Sequence, residues 1–590
     1  MAARWRIGAT PTAGVLLVAT TLVILWPMLQ DFSAYGFHDW DSSTAFRYLT
    51  VLSINRYREA PWWNPWLCGG YPGFGHHEGA SNFISPYLPL YLLADLRTAI
   101  RIEVLTSALV GVAGTYVLAA RVTRSVALRS LLAVAYALNG RWALQAAVGH
   151  AWHLQYAWLP WILWSFDRAA ETGRLTNAVS GGALLALMVY GCGIYPGPHT
   201  VLVLGVYAVL LSAFTRRWRP SVMAGITVIA GLGLSAPKLF AVADAMQHTP
   251  RTIASTETIG LFELLVMLLD PTQTYGSSPV PVPAYGWHEW GMYVGPAVAT
   301  CLTLGVLFAN GARGNALRLV GLLLLLLGFG AFHPLAPWAI LHKLPLFASQ
   351  HVPARFLYPM VLMLGLSFVA WAARFVDPRV TSRPWLDLLM LAGVAWIAAD
   401  IAGVSRRPFT QAFTMVPRSP IQPADVFEHR TDPPAAYARA DFAPPMLLAM
   451  FANTGVIDCY PLGAEFTRVG AIAADSERYR GRAYVSDGSG TADIVEWSPN
   501  RALVRVTGSS PNALVVYNMN YDESWKANGK PAMNLQSAVA ARLAIGESLV
   551  EFRYFPRTLK YSVPIAVTTA LACAAALWRD RRVTRQQGRR

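Results

Sequence analysis

Charge is what this chain has least of. Asp, Glu, Lys and Arg make up 14% of its 590 residues against 54% hydrophobic ones, and the mean hydropathy is +0.36. Soluble proteins carry about a quarter of their residues as charges, so a soluble multidomain protein is excluded. Lysine is nearly missing: Lys238, Lys343, Lys526, Lys530 and Lys560 are all there are. Five cysteines give neither a disulfide framework nor zinc-ligand spacing. Cys192, Cys301 and Cys573 fall in or at the end of apolar runs, which leaves Cys68 and Cys459. A bridge between those two is allowed but not established by sequence. No fixed-period repeat and no low-complexity tract is present.

Long uncharged runs are abundant: Ala13 to Pro27, Ser221 to Ser235, Leu319 to Phe332 and Leu388 to Ala399. With their flanks they approach the ~20 residues a helix needs to cross the ~30 Å hydrocarbon core. Arg4 and Arg6 precede the first run, but Trp26-Pro27-Met28-Leu29-Gln30-Asp31 is a poor cleavage site, so a retained first helix is expected. The net charge of +15 would suit nucleic acid, but its placement argues otherwise. Arginines cluster at 121, 124 and 129, at 216, 217 and 219, at 313 and 318, at 374, 379 and 383, and from 579 to 590. A cytoplasmic N-terminus followed by helices at about 12 to 30, 98 to 120, 130 to 148, 154 to 168, 177 to 194, 199 to 214, 221 to 240, 290 to 309, 316 to 332, 355 to 373, 384 to 403 and 561 to 578 puts every cluster inside. The basic residues are then topology determinants, and no nucleic-acid partner is expected.

In that topology all twelve histidines fall outside or at an outer helix end, as a polar binding face would require. The expected organisation is an all-α polytopic domain over 1–403 with about twelve spans and a long first extracytoplasmic loop at 31–97. A β-rich extracytoplasmic domain at 404–560 follows, then a final helix and basic cytoplasmic tail at 561–590. In the first loop, Trp62-Trp63-Asn64-Pro65-Trp66 carries too much apolar area to stay solvated. Pro86 to Leu96 is too short to span and reads as an interfacial helix, and Thr256 to Leu269 is similar, either lying in the interface or dipping in and returning. Ala502 to Val506, Ala513 to Tyr517 and Leu549 to Tyr554 are strand signals, with Asn528-Gly529 a turn, and together they suggest a small β-sandwich.

His38-Asp39-Trp40-Asp41 places two carboxylates just past the first helix. Asp41 before Ser42-Ser43-Thr44 also fits a helix cap, so Asp39 and Asp41 stand as alternative bases. Downstream lie Asn64-Pro65-Trp66-Leu67-Cys68-Gly69-Gly70-Tyr71-Pro72, then Gly73-Phe74-Gly75-His76-His77-Glu78, then Ser85-Pro86-Tyr87-Leu88-Pro89. A carboxylate motif after helix one, followed by W-N-P-x-x-x-G-G-x-P and a Pro-flanked short helix, resembles the YfhO-like bacterial membrane glycosyltransferases of the GT-C superfamily. Leu344-Pro345-Leu346-Phe347 with Gln350-His351-Val352-Pro353-Ala354-Arg355-Phe356 resembles that family's late loop. Tyr521 to Lys530, with Phe552-Arg553-Tyr554-Phe555-Pro556, resembles its β-domain. His351 stands where a second basic residue is expected.

The resemblance implies a GT-C-like fold in the bacterial cytoplasmic (inner) membrane, with an extracytoplasmic active site. It implies a hexosyl- or pentosyltransferase taking a sugar from a polyprenyl-phosphate donor to a lipid, glycan or cell-wall polymer. A phosphate leaving group needs one carboxylate base and positive charge rather than a second, acidic carboxyl. Asp39 or Asp41 is expected as the base, and Arg355, Lys238 and His351 at the donor phosphate, with Lys343 and Arg251 as further cations. His38, His76, His77, Glu78, His150, His153, His288 and Glu289 are expected to bind substrate. His76, His77 and Glu78 with Asp39 or Asp41 would also suit a divalent metal such as Mn or Zn. The rival class is a transporter or flippase of lipid-linked saccharides, which needs ionisable residues at mid-membrane, and Arg141 is the clearest of these.

Overall fold

The computed structural model describes residues 2–79, 81–248, 250–276, 286–440, 445–457, 469–510, 513–543 and 548–587. Cys459 and Ser277 lie outside them. Among the described residues, eight helices are long and apolar enough to cross a membrane: Gly8–Leu29, Leu96–Ala119, Pro196–Thr215, Trp287–Phe308, Gly311–Gly328, Pro353–Ser382, Trp385–Ala412 and Leu559–Arg582. Arg219–Leu234 and Ala236–Gln247, bent by 69°, count as a ninth if taken as one span. Pro237 lacks the N–H that would continue the helical ladder through the bend. The chain is a multi-pass membrane protein.

Each of the twelve expected spans lands on helix, but three land on shorter pieces. Val126–Ala137 and Gly140–Ala147 replace one of them. Asn139 divides the two, donating back to Ala135 O at 2.9 Å while its Oδ1 accepts from Trp142 N at 3.1 Å. Leu159–Thr172 and Leu175–Tyr190 have 14 and 16 residues. The interfacial segments condense to Leu88–Leu93 and Leu261–Leu269.

The C-terminal region is β-rich, as its alternation predicted. One antiparallel sheet runs Lys530–Pro531, Trp525–Ala527, Leu549–Tyr554, Arg501–Thr507, Thr491–Ser498; a second runs Met533–Leu535, Ala538–Arg542, Leu514–Asn520, Ala483–Val485. Period-two alternation buries Ala502, Val504 and Val506 of one strand. Asn528 and Gly529 both take positive φ, 47° and 78°, the hairpin geometry that Asn-Gly favours.

This β core is shared with the long loop at 31–97. Ala45, Phe46, Leu49, Trp63 and Trp66 pack into the same buried cluster as Val504, Val515, Tyr517, Trp525 and Phe552. Asn520 Nδ2 donates to Cys68 O at 2.7 Å and Gly70 O at 3.0 Å, and Trp63 N donates to Asn500 Oδ1 at 3.0 Å. Cys68 is itself disulfide-bonded.

Candidate active site

The helix Trp40–Asn55 begins directly after Asp39, whose side chain makes no cap bond to it. Its start is stitched to the turn after Gly140–Ala147. Trp40 Nε1 donates to Ala146 O at 2.9 Å and Ser43 Oγ to Gly149 O at 2.8 Å. Gly149 has φ +91°, and a Cβ there would run into the Asp39–Trp40 backbone, so only glycine allows this approach. The approach delivers His150 to Asp39, with Nε2 2.8 Å from Oδ2. His150 Nδ1 lies 2.8 Å from Gln145 Oε1, and Gln145 Nε2 donates to His288 O at 2.5 Å. His38 Nδ1 lies 3.4 Å from Asp39 Oδ1, and its ring packs on Tyr275 and His288.

The Asp39 side chain is 22% exposed, against 7% for His150. Burial raises the Asp39 carboxyl, but hydrogen bonds from His150 and His38 outweigh it and hold the group well below the ordinary 3.8. Asp39 is thus a carboxylate at neutral pH.

Asp41 is placed otherwise. It is 4% exposed and accepts from Tyr437 Oη at 2.6 Å, Met446 N at 2.6 Å and Leu447 N at 3.3 Å. The cap expected from the sequence exists, but on the distant helix Met446–Phe451 rather than its own. Of the two alternative bases, Asp41 is therefore committed to a structural contact.

Glu289 and Arg355 form a buried pair, with Nη2 2.6 Å from Oε1 and Nε 3.2 Å from Oε2. The guanidinium lies 4.7 Å from the Trp152 ring centre and 4.1 Å from that of Tyr195, and Nη1 has no hydrogen-bond partner among the described residues. Arg141 donates to the carbonyls of Glu289 and Trp290 at 2.9 and 3.1 Å, so it braces this segment. His153 is held between the rings of Tyr156 and Tyr358.

Lys238 overturns its expected place at a phosphate. It is 2% exposed, and Nζ donates to Phe74 O, His76 O and Gly79 O at 2.7, 2.8 and 2.8 Å. Three protons meet three carbonyls, leaving none for a ligand. The loop it ties down carries His76, His77 and Glu78. Burial, aided by Lys238 and Arg251, holds His76 down to about 3, and burial with His76 and Arg251 holds His77 well below its ordinary value. Both rings are neutral at neutral pH. Burial raises Glu78 despite the nearby Arg251.

Beside this loop an apolar cavity of about 430 Å³ opens among the helices Leu175–Tyr190, Pro196–Thr215 and Ala236–His248 and the segment 341–349. His77, Lys238 and Arg251 are its ionisable lining residues. Arg251 Nη1 donates to Ser349 O at 2.6 Å, while its buried Nε has no partner among the described residues. Burial first, then Arg355, with Arg251 adding to it, brings His351 down to about 3. Glu78 likewise feels Arg251 on one side and Asp39, His150 and Arg355 on the other.

The structure thus brings together His38, Asp39, His150, His288, Glu289 and Arg355, and Glu78 and His351 feel charges of this group. Asp41, Lys238 and His153 are drawn into packing. Among the described residues no three His, Cys, Asp or Glu side chains converge as metal ligands. Sequence reasoning missed Gln145, which no motif marks, and the aromatic pair Trp152 and Tyr195.

No protein-family model matches the chain, and no curated protein matches it. Among solved structures it is similar to the arabinofuranosyltransferase AftD from Mycobacteria, at 16% identity and a TM-score of 0.41 over 68% of this chain and 27% of that one. It is also similar to the Archaeoglobus fulgidus oligosaccharyltransferase tethered with an acceptor peptide, at 13% identity and 0.45 over 79% and 65%. The same archaeal protein, AglB, in complex with an inhibitory peptide and a dolichol-phosphate, gives 12% and 0.43 over 69% and 56%. The chain spans less than two thirds of each. A likeness this slight decides neither the fold nor the activity.

Proposed function

We propose that the protein is a GT-C-type membrane glycosyltransferase that moves a hexose or pentose from a polyprenyl-phosphate donor to a hydroxyl acceptor outside the cytoplasmic membrane. One observation carries the reading: the apolar cavity is lined by Arg251, and Glu78 and His351 feel both Arg251 and the groups around the ionised Asp39. An isoprenoid chain fits the apolar part, a phosphate the cationic end, and a sugar the histidine-lined stretch between. Asp39 takes the proton of the acceptor hydroxyl as its oxygen bonds the anomeric carbon. The bond from that carbon to the phosphate breaks, and the electron pair leaves with polyprenyl phosphate. Arg251 Nε and Arg355 Nη1 are guanidinium N–H groups without partners among the described residues, and they would meet the growing charge.

A transporter or flippase of lipid-linked saccharides loses its main support, because Arg141 braces two backbone carbonyls. The test is release of polyprenyl phosphate from a panel of polyprenyl-phosphate hexoses and pentoses by the protein in liposomes. Release by the parent and its loss in Asp39→Asn are expected. Movement of the donors across the bilayer with no release from any would overturn the reading in favour of the transporter.

A further inference from the structure

The hydrogen-bond directions around His150 are fixed by its neighbours. Gln145 Nε2 faces two acceptors, His288 O at 2.5 Å and Glu289 Oε2 at 3.4 Å, so the amide nitrogen must point there and Oε1 must face the imidazole. His150 Nδ1, 2.8 Å from that oxygen, then carries a hydrogen. Nε2 faces Oδ2 of the Asp39 carboxylate at 2.8 Å. Asp39 Oδ2 is thus held by a donor that is itself held. Oδ1 is buried, with His38 Nδ1 3.4 Å away.

We infer that His150 is a positioning residue for Asp39: anchored by Gln145, it pins Oδ2 and so fixes the carboxylate that receives the acceptor's proton. The inference rests on the reading of Asp39 as base. In the transfer step the hydroxyl proton moves to the Asp39 carboxylate, while His150 and Gln145 hold that carboxylate in place. The pair sits among other charges. His38 and Glu78 face it from the first loop, and Arg141 lies on the helix that carries Gln145. His153, His351 and the Glu289–Arg355 pair with His288 close the other side; Glu289 Oε1 is 3.8 Å from His150 Nε2. Removal of His150 therefore leaves Asp39 with burial opposed by fewer donors, and its carboxyl becomes easier to protonate.

The experiment needs no substrate for its first arm. Infrared difference spectra of the purified full-length protein identify the protonated-carboxyl band that Asp39→Asn removes. At about pH 5, above the ordinary carboxylate value, the parent shows no such band and His150→Phe shows it. His150→Gln, whose amide nitrogen can reach Oδ2, again shows none. In the transfer assay, His150→Phe loses about 10- to 100-fold in kcat with little change in donor KM, the scale of a misplaced catalytic group, and His150→Gln recovers most of it. Two results overturn the inference: no band at that pH in His150→Phe, or an equal loss of turnover in both variants with the band unchanged. Turnover by Asp39→Asn would instead remove the base, and the infrared arm alone then decides whether His150 governs the carboxylate.

Discussion

Replacing Asp39 and Asp41 separately by Asn should give two different kinds of failure. Asp41 is 4% exposed and accepts from one hydroxyl and two backbone N–H groups. An Asn there keeps one acceptor oxygen; facing Tyr437, it turns its NH2 toward the N–H groups of Met446 and Leu447, donor against donor. A buried donor left unmade costs about 1 to 3 kcal/mol, so Asp41→Asn should melt earlier by about that much while the folded fraction still turns over. The ordinary equivalence of Asn and Asp as caps fails here because both carboxylate oxygens are in use. Asp39 makes no cap bond, and Asn still accepts from His150. Asp39→Asn should stay within about 1 kcal/mol in stability, the scale of a single net hydrogen bond, and lose roughly 10² to 10⁴ in turnover. Thermal melts in detergent and release of polyprenyl phosphate, measured on the same preparations, separate the two. A stable but inactive Asp41→Asn beside an active Asp39→Asn would refute the assignment.

Lys238→Met should destabilise the protein by about 3 kcal/mol or more, since three buried carbonyls lose their donor; Arg251→Ala should stay folded and bind polyprenyl phosphate about 10- to 100-fold more weakly. Native mass spectrometry of both variants with polyprenyl phosphate checks the contrast, and unweakened binding by Arg251→Ala would remove it from the site. His76 and His351, held down to about 3, are neutral when folded and protonate in the unfolded chain below about 6.5. Their contribution is full above that pH and falls as the pH drops toward 3, by up to about 1.4 kcal/mol per pH unit for each ring, so melts taken from pH 7.5 to about 5 should shift downward. Thr215→Cys and Ser382→Cys, in a background without native cysteines, should resist an impermeant thiol reagent in intact cells, and Ser486→Cys should react.

Much of the site was legible because its residue types are rare in an apolar chain. Six of the residues expected at substrate or base, His38, Asp39, His150, His288, Glu289 and Glu78, lie in one electrostatic neighbourhood. The carboxylate motif itself read ambiguously, and the ambiguity was real, since Asp39 and Asp41 differ only in partners supplied from far along the chain. Asp41 Oδ2 meets Met446 N across 405 positions and Lys238 meets Phe74 O across 164, separations over which hydropathy and propensity are silent. Helix positions were legible from apolar runs, but not the break at Asn139, where one side chain's hydrogen bonds decide.

The partner that holds Asp41 is made long after it. At about 5 to 20 residues per second, the 405 positions between Asp41 and Met446 take about 20 to 80 s to synthesise, and the strands that bury Trp63 and Trp66 come later still. Through that interval the first loop carries large aromatic surface outside the membrane with no β core to cover it. The nascent chain is then open to proteolysis and to chaperone capture at that loop, and a ribosome that stops before the last strand leaves an anchored protein whose first loop never closes.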